Sequence, residues 1–405
     1  MDRSPARRPL LVSALCFLVI LADGYDTAVI SFAAPSLARD WRLPAAAFTS
    51  AFVATSLGAV IGYVFCGALA ARFGHRRVIL WSVVSFALLC LATIFARDVG
   101  QLTACRFVTA LGLGGAIPTA IALASQHART ERRELTAALV TLGIVIGSSL
   151  GGLAAVPLLR GWGWQGPFVL GAAAPLLLAA ALAGWLPNAP PSPGPMRAPS
   201  PRALLRDGLA APTLLVWLMA LLSFMQSYTF TYWLPLLLTN FGFDTANAAL
   251  GNTYIGAGAV AGVFGLLLMV QFVGSARYLA ASFAIGVVFV LVLAFAGLAD
   301  GTIPALLVVI GACLGIGGVG QASIGAVLYP VALRTTGIGW SSAMGRVGSI
   351  LGPAVAGAFL GLGWPARDII ASVAAPAAVS AAAAFGIHRA MVHRAATKGE
   401  VRAHV

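Results

Sequence analysis

Charged side chains are scarce in this sequence. Only 9% of its residues are Asp, Glu, Lys or Arg, whereas a soluble domain has about 25%. Acidic residues are rarer than basic ones, with 12 Asp and Glu against 25 Lys and Arg. Because 60% of the chain is hydrophobic, this composition argues against a soluble enzyme with an unusually large core.

The sequence also lacks the motifs of catalysis and metal binding. Its five cysteines lie in apolar stretches without metal-binding spacing, and no two of its five histidines form a convincing ligand pair. The glycine-rich residues 112–115 follow no predicted strand, so they do not indicate a nucleotide-binding loop. We find no nucleophile–base set, and we therefore predict neither an enzyme nor a bound metal or cofactor.

Long apolar runs are what the chain has in abundance, and each is long enough to cross a bilayer. Backbone groups in lipid must bond within their own segment, so these runs are predicted to be helices. The prediction is an all-α membrane protein with twelve transmembrane helices. They lie at about residues 10–38, 46–71, 78–96, 101–126, 135–160, 164–187, 211–240, 246–271, 276–298, 303–331, 336–361 and 366–390.

The net charge of +13 is distributed unevenly between these runs. With the amino terminus in the cytoplasm, eighteen of the 25 Lys and Arg fall in inner segments and five in outer loops. This positive-inside bias predicts a multi-pass protein of the inner (plasma) membrane with both termini cytoplasmic. The basic charge thus orients the protein and contacts anionic lipid, and no nucleic-acid partner is predicted.

A proline-rich, basic segment divides the chain into two halves. We predict an amino-terminal six-helix bundle at 1–187, a cytoplasmic linker at 188–210, and a carboxy-terminal bundle with a short cytoplasmic tail at 211–405. The halves repeat motifs about 200 residues apart: 147–151 recurs at 348–352. Two pseudo-symmetric bundles indicate a central site and transport by alternating access.

The first apolar run contains two carboxylates, Asp23 and Asp26. A charge at mid-bilayer costs roughly 2.5–3.5 kcal/mol, so such residues usually face a polar pathway. Residues three apart share a helix face, and two close carboxylates bind protons as a coupled pair. We predict proton coupling here, and the alternative is a structural pair satisfied by Arg or backbone groups.

Two arginines also lie inside predicted helices, Arg106 and Arg346. Arg106 has three open roles: anchor for a substrate carboxylate, counter-ion to Asp23 or Asp26, or structural partner. Arg346 is either a second substrate anchor or a packing and gating contact. The equivalents of Asp23 and Asp26 in the second half are Ser223 and Gln226, so that half offers neutral groups.

Aromatic and amide side chains in the second half suit an aromatic ring with polar substituents. We predict substrate contacts for Gln226, Tyr228 and Gln321, with interfacial or structural roles as the alternative. Arg72, Arg76 and Arg334 lie at cytoplasmic helix ends and are predicted to act in gating.

Four blocks of sequence carry a resemblance to the major facilitator superfamily that extends over nearly the whole chain. Residues 67–77 read GALAARFGHRR and resemble its loop signature, and residues 106–115 resemble its fourth-helix motif. Within it, residues 23–26 (DGYD) and 329–353 resemble the aromatic acid:proton symporters. The resemblance implies proton-coupled import of small aromatic carboxylates, such as hydroxybenzoates or phenylpropanoates, and a need for Asp23 and Asp26.

The sequence departs from the family pattern at two acidic positions. Ala71 and Gln126 stand where the family usually has aspartate and glutamate, which puts its cytoplasmic gate salt bridges in doubt. The partners predicted are the aromatic acid, protons and the bilayer, and the protein is predicted to be monomeric. The alternative is a proton-coupled drug or metabolite efflux antiporter of the same fold; a transporter-like receptor is disfavoured because the cytoplasmic segments are too short for an output domain.

Overall fold

The structure is a computed structural model that describes residues 7–129, 133–187, 201–206, 208–297 and 300–397. Within them the chain forms sixteen α-helices. They are α1 Arg7–Trp41, α2 Thr49–Phe73, α3 His75–Thr93, α4 Val99–Leu113, α5 Ala116–His127, α6 Arg133–Thr141, α7 Gly143–Trp162, α8 Gln165–Trp185, α9 Ala210–Leu238, α10 Leu250–Val273, α11 Ser275–Phe295, α12 Ile303–Leu314, α13 Gly317–Leu328, α14 Val331–Gly361, α15 Ala366–Ser372 and α16 Ala374–Thr397.

These helices form twelve segments that are long and apolar enough to cross a membrane. The all-α, twelve-span prediction is therefore confirmed. Four of the segments consist of two consecutive helices: α4–α5, α6–α7, α12–α13 and α15–α16. In α4–α5 and α12–α13 the interruption falls at glycines, Gly114 with Gly115 in one and Gly315 in the other, where backbone freedom makes a break in the helix easiest.

The chain divides into two compact units. Among the described residues, unit 1 contains α1–α8 together with Phe243–Thr253, and unit 2 contains the residues from 201 to 242 and from 254 to 397. Most of the predicted linker, residues 188–200 and 207, lies outside the described residues. Its last part forms a short 3-10 helix, Pro201–Leu205, whose Leu204 carbonyl accepts a 2.9 Å hydrogen bond from Thr213 Oγ1 in α9.

Glycines bring neighbouring helices into backbone contact in both units. In unit 1, a Cβ on Gly147 of α7 would collide with the backbone of Leu21 in α1. In unit 2, a Cβ on Gly348 of α14 would collide with the backbone of Leu221 in α9. Close approach through small residues is how helices pack without a hydrophobic driving force in lipid. The two contacts repeat about 200 residues apart, as the duplicated sequence motifs do.

The interior of unit 1 is apolar where α1, α3, α5 and α8 meet. Ile20, Phe86, Leu123 and Leu182 are fully buried there, one from each helix. This packed core holds α1 in a fixed rotation and so decides which side chains its polar segment presents to the other helices.

Candidate functional site

The acidic segment of α1 remains helical although it contains two aspartates and a glycine. Gly24 lies against the backbone of Ile144 in α7, where any side chain would collide. The glycine therefore allows α1 and α7 to touch at the level of the carboxylates. Asp23 and Asp26 flank this contact, and they are only 4% and 0% exposed.

Asp26 forms a buried ion pair with Arg106 of α4. Arg106 Nη2 lies 2.8 Å from Asp26 Oδ2, and Nη1 lies 3.2 Å from Oδ1. Nη2 also donates to the backbone carbonyl of Asp26 at 2.8 Å. Both side chains are fully buried, so the guanidinium and the carboxylate neutralise each other where water does not reach them.

Of the three roles left open for Arg106, the ion pair with Asp26 fits both the counter-ion and the structural partner. In this conformation its terminal nitrogens bind Asp26, as a counter-ion would. A substrate carboxylate would have to displace Asp26 to use the same donors. Asp23 lies one helical turn earlier on α1 and is nearly as buried, so the two carboxylates share a helix face while Asp26 is bound to Arg106.

Tyr25 fixes the rotation of α1 beside the ion pair. Its hydroxyl donates to the backbone carbonyl of Pro167 at 2.7 Å. The ring fits between Gly151 of α7 and Gly171 of α8, where a Cβ on either glycine would come within about 3 Å of it. The sequence pattern alone predicted no such role for Tyr25, although its place between the two aspartates was a signal for it.

In unit 2, aromatic side chains follow one face of α9. The rings of Phe224 and Tyr228 are stacked, with centroids 6.2 Å apart and planes at 11°. Tyr232 continues the series at 5.9 Å from Tyr228. Arg346 of α14 is half-buried and its Nη1 lies 3.5 Å from the Tyr228 hydroxyl. The structure thus brings together Tyr228 and Arg346, two of the predicted substrate residues.

Two buried glutamines lie in the same unit. Gln321 of α13 is 3% exposed, and its Nε2 donates a long, 3.4 Å hydrogen bond to Ser342 Oγ of α14. Gln226 of α9 is fully buried. Among the described residues, neither Gln226 Nε2 nor Oε1 has a hydrogen-bond partner, and Gln321 Oε1 also has none.

The predicted gating arginines occupy helix ends. Arg72 is exposed at the end of α2, with its guanidinium carbon 5.1 Å from the Phe73 ring centroid. Arg76 Nη2 donates to the Ala183 carbonyl of α8 at 2.5 Å. Between them Gly74 adopts φ 81°, ψ 152°, a backbone conformation that favours glycine. Arg334 is half-buried near the start of α14.

A polar cluster that the sequence reasoning missed joins the start of α10 to α1 and α7 in unit 1. Asn252 Nδ2 donates to Ser31 Oγ at 3.0 Å. Ser149 and Thr253 donate to each other's backbone carbonyls at 2.9 and 2.7 Å. An asparagine within an apolar run was a signal for such a contact, since an intramembrane polar group usually has a function or a partner.

Several membrane-spanning helices with a buried acid–base pair between them are typical of a membrane transporter. The Major Facilitator Superfamily profile matches residues 16–353. The chain belongs to the Major Facilitator Superfamily. Its membership confirms the predicted family and a transport role rather than an enzymatic one.

Several relatives are aromatic acid transporters. The 4-hydroxybenzoate transporter PcaK of Pseudomonas putida is 31% identical over 91% of this chain and 90% of the relative. The 3-(3-hydroxy-phenyl)propionate transporter of Escherichia coli is 33% identical over 94% of each chain. The gallate transporter of Pseudomonas putida is 29% identical over 89% of this chain and 88% of the relative. The predicted resemblance to the aromatic acid transporters is thus confirmed.

Solved structures confirm the fold. A bacterial homolog of the human lysosomal transporter Spinster, in an inward-facing and occupied conformation, superposes with a TM-score of 0.76. It is 16% identical and covers 97% of this chain and 99% of its own. A D-xylose-proton symporter superposes with a TM-score of 0.70 at 18% identity. The match covers 95% of this chain and 97% of the symporter. At these identities the likeness concerns the fold alone.

Proposed function

We propose that this protein imports small aromatic carboxylates together with protons by alternating access. The observation that carries the proposal is the buried Asp26–Arg106 ion pair in a chain whose relatives are named as aromatic acid transporters. Burying charged side chains inside a membrane protein costs free energy, and such residues usually take part in the movement of an ion or a substrate.

Proton coupling is assigned to Asp23 and Asp26. A proton and Arg106 compete for the carboxylate of Asp26, because protonation removes the charge that binds the guanidinium. Asp23, one turn away, provides a second carboxylate for the same proton. Protonation from the outside therefore releases Arg106, which then becomes available to the substrate anion, and release of the proton to the higher internal pH restores the pair.

Substrate recognition is assigned to Arg106 and to the groups of unit 2. Arg346 provides a guanidinium suited to a carboxylate, and Tyr228 lies beside it at the edge of an aromatic stack. A planar aromatic ring packs favourably against such stacked side chains. Gln226 and Gln321 add buried amides: among the described residues, both polar atoms of Gln226 and the Oε1 of Gln321 have no hydrogen-bond partner.

Orientation and gating complete the proposal. Both termini are assigned to the cytoplasm from the distribution of Lys and Arg, in the inner (plasma) membrane. The protein is taken to work as a monomer. Arg72, Arg76 and Arg334, all at helix ends on the side assigned to the cytoplasm, are taken to stabilise the closed inner gate.

The decisive test uses the purified protein in liposomes with an alkaline interior. Wild type should accumulate labelled 4-hydroxybenzoate, and a protonophore should abolish the accumulation. Asp26→Asn should lose pH-driven accumulation, because an amide cannot release a proton. Asp40→Asn is the control, since Asp40 is exposed and, within the part of the chain that the structure describes, pairs with its neighbour Arg39 alone.

Three results would contradict the proposal. Full accumulation by Asp26→Asn would remove Asp26 from coupling. Accumulation that requires an acidic interior would make the protein an efflux antiporter. Wild-type transport that does not change with the proton gradient would show that the protein is not proton-coupled.

A further inference from the structure

Gly318 of α13 is a glycine that helix packing does not require. A Cβ on Gly318 would meet the ring of Phe224 in α9 at 3.5 Å, an ordinary van der Waals distance. Its φ is not positive, so the backbone conformation does not require glycine either. By contrast, a Cβ on Gly348 of α14 would collide with the backbone of Leu221. Since a helix generally favours alanine over glycine, we attribute the missing side chain at 318 to the space that it leaves.

The internal repeat shows that this space is particular to the second half. The motif at residues 112–115 recurs at 315–318, so Gly115 corresponds to Gly318. Gly115 is buried, and a Cβ on it would lie 2.9 Å from Ser82 Oγ in α3. Gly318 is exposed. The second half has therefore kept the glycine without the tight packing contact that explains it in the first half.

The accessible space beside Gly318 lies between helices and does not face lipid. A Cβ on Gly318 would point at the ring of Phe224, and a Cβ on Gly345 of α14 would lie 2.9 Å from the same ring. Three helices thus meet around one ring, and we call the space beside it the α9–α13–α14 opening. The partly exposed side of α13 continues with the small residues Ala322 and Ala326. The exposed positions of α10 and α11 instead carry large apolar side chains of the kind that lipid favours: Phe264, Leu267, Leu268, Ile285, Val288, Leu291 and Phe295.

The groups around the α9–α13–α14 opening match the parts of an aromatic acid. Phe224 and Tyr228 are stacked and half-buried, so part of their surface stays accessible. Arg346, also half-buried, lies 3.5 Å from the Tyr228 hydroxyl. Gln321, one turn after Gly318 on α13, donates to Ser342 Oγ, which lies one turn before Arg346 on α14. The opening therefore has an aromatic wall, a guanidinium suited to a carboxylate and an amide among its neighbours.

We propose that Gly318 is a specificity-determining residue, and that the space beside it receives the substrate's ring, packed against Phe224 with its carboxylate towards Arg346. The inference rests on the proposed function. Aromatic rings gain from packing against one another, and a side chain at 318 would occupy the same space. Selection at this position is by size, so each further substituent on the ring must fit the room that the glycine leaves.

The test fills the space in two steps, with Gly318→Ala and Gly318→Val. The affinities of the purified variants are measured by titration calorimetry for benzoate, 4-hydroxybenzoate and 3,4,5-trihydroxybenzoate. Gly318→Val should bind the largest acid that wild type accepts about tenfold more weakly or worse, the range that a methylene-sized misfit produces. The loss should be smaller for Gly318→Ala, and it should increase with the number of ring substituents.

Gly361→Val is the matched control, because Gly361 belongs to the same unit, ends α14 and has open space around it. It should leave the affinities unchanged. The midpoint of thermal unfolding without ligand separates a binding role from a structural one. Gly318→Ala should keep or raise this midpoint, since alanine favours the helix and its Cβ meets Phe224 at an ordinary distance. A lower midpoint for Gly318→Ala would show that packing requires the glycine, and it would overturn the proposal.

The remaining outcomes separate this inference from the proposed function. If wild type neither binds nor transports any of the three acids, the proposed function fails and this inference with it. If wild type binds them and Gly318→Val binds them equally well, only the inference fails. An equal loss for small and large acids would also overturn it, because selection by size would then be absent. Should Gly318→Val not fold, unchanged affinities in Gly318→Ala would overturn the proposal.

Discussion

Replacing Arg106 with methionine would leave the carboxylate of Asp26 without its counter-ion in the interior of unit 1. Asp26 would lose three hydrogen bonds from Arg106, two accepted by its carboxylate oxygens and one accepted by its backbone carbonyl. Both side chains are fully buried, so water cannot replace these contacts. Breaking a buried ion pair from one side costs about 3–5 kcal/mol. We expect that loss in the free energy of unfolding for Arg106→Met at a pH where Asp26 is ionised.

The reverse single variant and the double variant complete the cycle. Asp26→Leu should cost a similar amount, because it leaves the guanidinium unpaired. Asp26→Leu/Arg106→Met removes both charges, and buried pairs can often be replaced by apolar residues at little cost. We expect the double variant to be at least about 3 kcal/mol more stable than the sum of the two single losses predicts.

The measurement is equilibrium unfolding of the purified protein in mixed detergent micelles. Arg160→Met is the control: Arg160 lies 3.6 Å from Asp244 in an exposed pair, and such pairs contribute about 0–1 kcal/mol. If Arg106→Met lost less than about 1 kcal/mol, or if the two single losses simply added, the pair would not be the tightly coupled unit that its geometry indicates.

Two other predictions concern helix packing and substrate binding. Gly147→Leu should destabilise the protein by about 1–3 kcal/mol, because a side chain there meets the Leu21 backbone. Gly161 has open space around it, so Gly161→Leu should unfold like wild type in the same assay. Equal unfolding midpoints for the two variants would contradict the packing argument. Arg346→Lys should raise the KM for 4-hydroxybenzoate uptake about tenfold or more, because lysine lacks the planar pair of donors; an unchanged KM would exclude Arg346 as the carboxylate anchor.

Much of the fold could be predicted from the sequence because lipid constrains it strongly. An apolar run of sufficient length must be a helix when no water is available to its backbone. The twelve apolar runs therefore correspond to twelve membrane-spanning segments. The glycines repeated about 200 residues apart correspond to matching helix contacts in the two units. The helix interruptions at Gly114 and Gly315 were harder to predict from the sequence, since glycine also occurs within continuous transmembrane helices.

The candidate site could be predicted only in part. The sequence singled out Asp23, Asp26 and Arg106 because charges are rare and costly inside a membrane. It could not choose among three roles for Arg106, since the choice depends on the rotation of α1 and α4 about their axes. That rotation is set by distant packing, including the Tyr25 hydroxyl on the Pro167 carbonyl.

The sequence by itself determined that this chain is a helical membrane protein, because its long apolar runs must form helices where no water reaches the backbone. Its motifs repeated about 200 residues apart indicated two related halves. Only the tertiary structure decided which polar groups meet: Asp26 has an arginine against it, while Gln226 at the corresponding place has no hydrogen-bond partner among the described residues. The physical reason is that hydrogen bonds act over about 3 Å, and contacts at that range depend on how helices far apart in sequence pack together.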